Sequence, residues 1–320
     1  MKLAQEKQQP REAENTKAIL EVLEKSLRKA YPEGQMLRRF HPKGHGLVEA
    51  RFTVPDDIPD HLRVGLFRKA KSYDAFIRFS NAPPTALSDK RKSPKGMAIK
   101  VLNTGSETLE YDPLGQTQDF VLTTSAVLVP ATVKGYLASM KGLFGGFWRT
   151  VLYAINPFHW RTLIVLARGR IKAHNLLELD YFSSTAYLMG KGQAVKWMVK
   201  ARKNRTEFRK EQEHEHHIRE NLQADLAKSD HYFDIGVQLQ TDARKEPIEN
   251  SGKRWKTPFV KLAEITIPAQ EFDVAEKHEK GEKMHFSPWH CMEEHRPIGG
   301  NNRVRRSVYR EMSRLRLTDR

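Results

Sequence analysis

Short strand-prone runs, each closed off by turn residues, recur along the chain and limit what it can fold into. The runs at 46–54 (GLVEARFTV), Ala75 to Phe79, Gly96 to Leu102 and Phe120 to Leu122 are rich in β-branched and aromatic residues. Asn81-Ala82-Pro83-Pro84 and Asn103-Thr104-Gly105 fall between them. Such runs with short connections predict strands that pair antiparallel, as a sheet or a barrel. Similar runs return at 181–189, 194–199, 232–240 and 259–267. Apolar residues at Ala18, Ile19, Val22, Leu23, Leu27 and Ala30 have helical spacing and predict a helix over 11–30, ended by Pro32. Pro130 to Lys141, Phe158 to Lys172 and a charged stretch over 211–228 also read as helices. The fold class expected is α+β, strand-rich with helices inserted, with an N-terminal helical arm (1–36) preceding one principal domain (37–320).

Composition removes several classes of function. One cysteine, Cys291, forms no internal disulfide and makes no thiolate metal site, which excludes zinc ribbons and iron–sulfur clusters. The first residues, MKLAQEKQQPREAENTKA, lack the apolar core of a secretory signal, so the cytoplasm is the expected address. The net charge of +16 attracts phosphates, anionic lipid surfaces and carboxylate ligands. Its cations (Arg38, Arg39, Lys90 to Lys92, Lys200 to Lys203, Arg303 to Arg306) are spread over the whole chain with no reading module, so no nucleic acid is expected as partner. The linker GLFGGFWRTVLYAINPFHW reads first as a buried hairpin of helices. Leu143, Phe144, Phe147, Trp148 and Leu152 beside Arg149, Arg161 and Arg168 keep a peripheral contact with an anionic membrane, or a lipid-substrate lining, open as the other reading.

The segment NNRVRRSVYREMSRLR, residues 301–316, has good helix formers and neither Gly nor Pro, with Asn301 or Asn302 available as a cap. On a helix Arg305, Tyr309, Met312 and Arg316 share one face. A guanidinium one turn away favours the phenolate form of a tyrosine and donates to its oxygen. Tyrosinate is an anionic oxygen ligand that favours ferric heme iron.

A second set of motifs lies upstream. It comprises Arg38-Arg39-Phe40-His41-Pro42-Lys43-Gly44-His45-Gly46-Leu47-Val48-Glu49-Ala50-Arg51-Phe52, then Ile77-Arg78-Phe79-Ser80, then Ser93-Pro94-Lys95-Gly96-Met97-Ala98-Ile99-Lys100. In order, spacing and chemistry these resemble the catalase family's Arg-x-x-His-x-Lys-Gly-x-Gly run, Val-Arg-Phe-Ser and Asp-Pro-Arg-Gly-Phe-Ala-Val-Lys. The C-terminal Arg-x-x-x-Tyr, with an Arg seven residues after the Tyr, resembles the family's proximal helix. The likeness covers 37–130 and 285–316, and the chain is much shorter than a typical catalase. It is similar to the compact catalase-related heme proteins.

The resemblance implies a closed antiparallel β-barrel with surrounding helices, a C-terminal proximal helix and a bound heme b. It implies His41 as the distal histidine, Ser80 as its orienter and Tyr309 as the axial iron ligand assisted by Arg305. Arg38, Arg78 and Arg316 match the positions that hold the heme propionates. The activity implied is breakdown of a peroxide substrate, in a homo-oligomer. One motif departs: where catalases place an asparagine in Asp-x-Val-Gly-Asn-Asn, this chain has Asp119-Phe120-Val121-Leu122-Thr123-Thr124, so Thr123 replaces the amide beside the distal histidine. That opens three further readings: a peroxidase using an organic reductant, an enzyme acting on fatty-acid hydroperoxides, and a lipid-hydroperoxide isomerase of the same fold. A basic module that binds anionic lipid or nucleic acid without heme is the alternative outside enzymology.

Two other clusters are read as structural. Glu213 and His217 lie one helical turn apart but lack a zinc spacing, and are expected on a solvated, charged helix face. Trp289-His290-Cys291 lacks an orienting third group for a nucleophile, and Trp289 is expected to pack near the heme edge.

Overall fold

The computed structural model describes residues 2–31, 38, 40–83, 87–202 and 214–318. Pro32, residues 36 and 37 at the expected domain break, Arg39, Pro84, Lys203 and Glu211 to Glu213 lie outside them.

The strand-prone runs form a closed barrel. Its strands are β1 (Gly44–Val54), β2 (Lys71–Asn81), β3 (Lys95–Val101), β4 (Gln118–Thr123), β5 (Tyr181–Phe182), β7 (Ala194–Ala201), β8 (His231–Leu239) and β9 (Phe259–Ile267), all paired antiparallel in the order β1-β2-β3-β4-β5-β7-β8-β9. Pairing of β9 back onto β1, with Phe52 opposite Ile265, closes the ring. Two short strands, β6 (Ala186–Leu188) and β10 (Pro297–Ile298), extend from β7. The run expected over 181–189 is therefore broken. Ser184 adopts φ 61 there, and Ser183 and Thr185 hydrogen-bond locally instead of continuing one strand.

Alternation along each strand decides the two faces. Val48, Phe52, Ile77, Phe79, Met97, Ile99, Phe120 and Leu122 point inward, where they are buried with Trp197 and Phe233. Phe52 stacks on Phe120 at 5.8 Å between centroids, and Trp197 meets Phe120 edge-on at 5.0 Å. Burying each of these rings contributes about 1.5–3 kcal/mol. The residues between them point outward, and that outer wall carries the site.

Helices cover part of the wall. The predicted N-terminal helix is α1 (Glu12–Ala30), and α2 (Val133–Phe144) and α7 (Gly300–Thr318) pack against it through Ile19, Leu23, Val133, Met140, Val304 and Val308. Arg303 on α7 is bonded to Glu6 and Glu12, tying the N-terminal segment to that helix. Neither Asn301 nor Asn302 serves as the expected cap. Asn301 donates to the Pro130 carbonyl and Ser251, and Asn302 to the carbonyls of Ala186 and Ile298. Trp289 supports the same end of α7 by donating its indole N–H to the Asn302 carbonyl at 3.1 Å.

The linker expected as a buried hairpin is helical but mostly exposed. α3 (Phe147–Ile155) rests on α2, and α4 (Pro157–Arg168) follows with none of its residues buried. Among the described residues no third layer covers α3 and α4, and most of their large apolar side chains are exposed. The charged helix α5 (His217–Leu226) also differs from expectation, because His217 is buried and donates its Nδ1–H to the His214 carbonyl at 2.7 Å. Last, α6 (Ala275–Lys283) lies on β1, where an added Cβ on Gly281 would meet Leu47 at 3.2 Å.

Candidate active site

One cross-strand row on the outer wall organises the site. Gly44 pairs with Ser80, Ser80 with Gly96, Gly96 with Thr123 and Thr123 with Phe182. Directly opposed residues share a face, so this row lies outside the barrel beside the segment that enters β1. His41 sits on it. Its Nδ1 is 2.9 Å from Ser80 Oγ, and its carbonyl accepts from Arg78 Nη2 at 3.2 Å. Only glycine fits at position 96: a Cβ there would be 2.4 Å from His41 Cε1 and 2.9 Å from Ser80 Oγ. The His41 backbone is left-handed, at φ 58. Burial, then the charges of Arg78, Arg38 and Arg305, lower the imidazole pKa to about 3. His41 is thus a neutral base at any ordinary pH.

Two residues along β2 on the same face, Arg78 joins a group of guanidinium side chains. Arg78 donates to Glu282 at 2.8 Å and Arg38 to the same carboxylate at 3.1 Å, while Arg316 from α7 donates to the Glu282 carbonyl. Arg38 also donates to the Met284 carbonyl. Burial and the like charges of Arg78 and Arg316 push the Arg38 pKa down. A further buried anion would relieve that repulsion and gain charge-assisted hydrogen bonds.

The third part is the face of α7. Arg305 donates to the Tyr309 hydroxyl at 3.3 Å and is held on its other side by Thr185 Oγ1 and Asn302 Oδ1, both at 3.1 Å. Burial opposes the Arg305 charge, yet Tyr309 and Tyr187 raise its pKa, so the guanidinium stays charged. Burial, with Tyr309 nearby, pushes the Tyr136 phenol up to about 12. The α7 face and the His41 wall are joined through Glu282, which Arg316 of α7 and Arg78 of β2 both bond while Arg78 also donates to the His41 carbonyl.

The eight residues singled out in the sequence therefore gather at one place. His41 touches Ser80, and Arg38, Arg78 and Arg316 share Glu282. Arg305 bonds Tyr309, and Thr123 lies across from Gly96. Thr123 has no side-chain hydrogen bond among the described residues. Sequence reasoning missed Glu282, Asn302 and Thr185; Glu282 in particular lies on a charged helix with no motif around it. It also missed a buried group farther along the same outer wall. Lys100 bonds both Asp112 and Asp119 (2.7 Å to the latter), and His290 Nδ1 lies 3.0 Å from each carboxylate. Asp112, Asp119 and His290 are grouped like metal ligands, but the Lys100 ammonium and the charged His290 imidazole together already neutralise the two carboxylates. Cys291 is buried, which pushes its thiol pKa up and leaves it unreactive.

No model of a known protein family matches this sequence, and no curated protein sequence does. Solved structures do match. A fungal catalase superposes with a TM-score of 0.67 at 17% identity, over 92% of this chain and 62% of that one. Catalase A from Saccharomyces cerevisiae gives 0.68 at 17% identity, over 92% and 64%. The chain has the catalase fold. A bacterial catalase gives 0.60 at 18% identity, over 93% of this chain and 60% of that one. This catalase-fold chain spans less than two thirds of the length of each of those three structures. The α+β barrel class expected from the motifs is the class found.

Proposed function

We propose that this protein binds heme b and breaks down peroxides. The 2.9 Å contact between His41 and Ser80, facing the Arg305–Tyr309 pair of α7, carries the reading. The residues suit the cofactor. Tyr309 offers a phenol oxygen that accepts from the charged Arg305 guanidinium, and Arg38, Arg78 and Arg316 form the crowded cation group that two propionate carboxylates would relieve. When bound, ferric heme supplies a Lewis-acidic, redox-active iron for cleavage of the oxygen–oxygen bond.

The protein's own residues manage the proton. With Nδ1–H donated to Ser80, the free Nε2 of His41 takes the proton from one peroxide oxygen and returns it to the other. The leaving oxygen then departs as water or an alcohol instead of an anion. Burial, followed by the arginine charges, keeps the imidazole unprotonated. Hydrogen peroxide and organic hydroperoxides both fit this step. Thr123 favours the second, because a hydroxyl has a shorter reach and fewer donors than the missing amide. The cytoplasm and a homo-oligomeric state remain parts of the proposal drawn from the sequence.

The test is a visible spectrum of heme-supplemented protein, followed by oxygen release on adding hydrogen peroxide. A Soret band with peroxide consumption is expected; no Soret band overturns the reading. Parallel assays with a fatty-acid hydroperoxide separate reduction, isomerisation and dismutation by their products.

A further inference from the structure

The helices between β4 and β5 present a surface that the peroxide site does not use. From Phe120 to Leu177 the chain has no Asp or Glu, while Lys134, Arg149, Arg161 and Arg168 are among its cations. α3 is anchored underneath: Tyr153 is hydrogen-bonded to Ser139 at 2.6 Å and stacked on His159, and Thr150 donates to the Gly142 carbonyl at 2.8 Å. The other side of α3 and much of α4 are exposed. Phe158 is 90% exposed, Trp148 75% and Phe147 73%, with Leu152, Ile155 and Trp160 continuing the patch. Single exposed apolar residues are ordinary, but a continuous patch of this kind marks a contact surface.

We infer that α3 and α4 form a docking face for an anionic lipid bilayer. Exposed Trp and Phe between arginines, with no carboxylate to be repelled, match the chemistry of helices that lie in the headgroup layer. A second copy of the chain suits the face poorly, since a two-fold contact would set its cations against the same cations. Contact is with the bilayer surface, because no helix of the described residues is long and apolar enough to cross a membrane. The inference does not depend on heme or on the peroxide reading.

The chain reports on this face by its own fluorescence. Of its tryptophans only Trp148 and Trp160 are exposed, whereas Trp197, Trp255 and Trp289 are buried. Full-length protein would be sedimented with phosphatidylcholine vesicles with and without phosphatidylglycerol, at low and high salt, while tryptophan emission is recorded. Expected are binding that grows with phosphatidylglycerol and weakens with salt, a blue shift, and quenching by brominated lipid. The Trp148→Ser, Phe158→Ser double variant should partition more weakly by at least about tenfold. Arg161→Gln with Arg168→Gln should lower binding to the anionic vesicles alone. The inference is overturned by no binding to phosphatidylglycerol vesicles, or by equal binding of the serine variant. It is also overturned if light scattering gives a larger species for the parent protein than for the serine variant, which would assign the face to self-association.

Discussion

Gly96 lies against the His41 ring so closely that a single methyl group would occupy the imidazole's place, 2.4 Å from Cε1 and 2.5 Å from Nδ1. Gly96→Ala should therefore displace the ring and break its contact with Ser80. A misplacement of this order costs about 100-fold in rate. Steady-state peroxide consumption by Gly96→Ala, normalised to bound heme, checks this; an unchanged rate would show that His41 need not sit where it does.

Tyr309 and His41 should separate cofactor binding from chemistry. Tyr309→Phe removes the oxygen that Arg305 supports and should abolish or sharply weaken heme retention, read from the Soret band after gel filtration. His41→Ala should keep the heme and slow oxygen–oxygen cleavage by roughly 100-fold or more. The opposite pattern would exchange the two assignments.

Thr123 sits one strand across from Gly96 without a hydrogen-bond partner among the described residues. Thr123→Asn restores an amide donor to that row. The expected outcome is a rise in oxygen release from hydrogen peroxide relative to turnover of an organic hydroperoxide, measured as a ratio on one preparation. No change in the ratio would remove Thr123 from the account of substrate preference.

The buried histidines should give the pH dependence of stability an acid limb and, through His290, an alkaline one. Burial, the first cause in each case, lowers His41 and His285 to about 3 and His45 and His295 to about 4. Each of these contributions is complete above the ordinary histidine value near 6.5 and is lost as pH falls toward the depressed value. His290 behaves oppositely. Burial opposes its charge, but Asp112 and Asp119 raise it to about 9, so its contribution is complete below about 6.5 and lost as pH rises through 9. Thermal melts from acid to alkaline buffers check both limbs, and removing His290 with His290→Gln should flatten the alkaline one.

Much of the barrel was legible because β1 to β4 alternate cleanly between core and wall, and because α7 keeps Arg305 and Tyr309 one turn apart. Three things were not. The run at 181–189 carries good strand formers, yet the left-handed Ser184 interrupts it, and such a break has no signature in propensity. Glu282 gains its role only when α6 folds over β1 and brings it to Arg38 and Arg78. Exposure of α3 and α4 was undecidable from their composition, since an apolar, basic helix reads alike whether something covers it or not. For Glu282 the deciding contact is distant in sequence, whereas the break at Ser184 is accompanied by local bonds between Ser183 and Thr185.

The left-handed backbone at His41 has a bearing on how this position is maintained. A side chain with a Cβ costs about 1–2 kcal/mol in that conformation, and glycine or asparagine would adopt it with less strain. Folding alone gives no reason to keep a histidine here. On the proposed function, selection at this residue would act through the reactivity of its imidazole against the preference of the chain, and loss of that reactivity would let the position drift toward residues that suit the turn better.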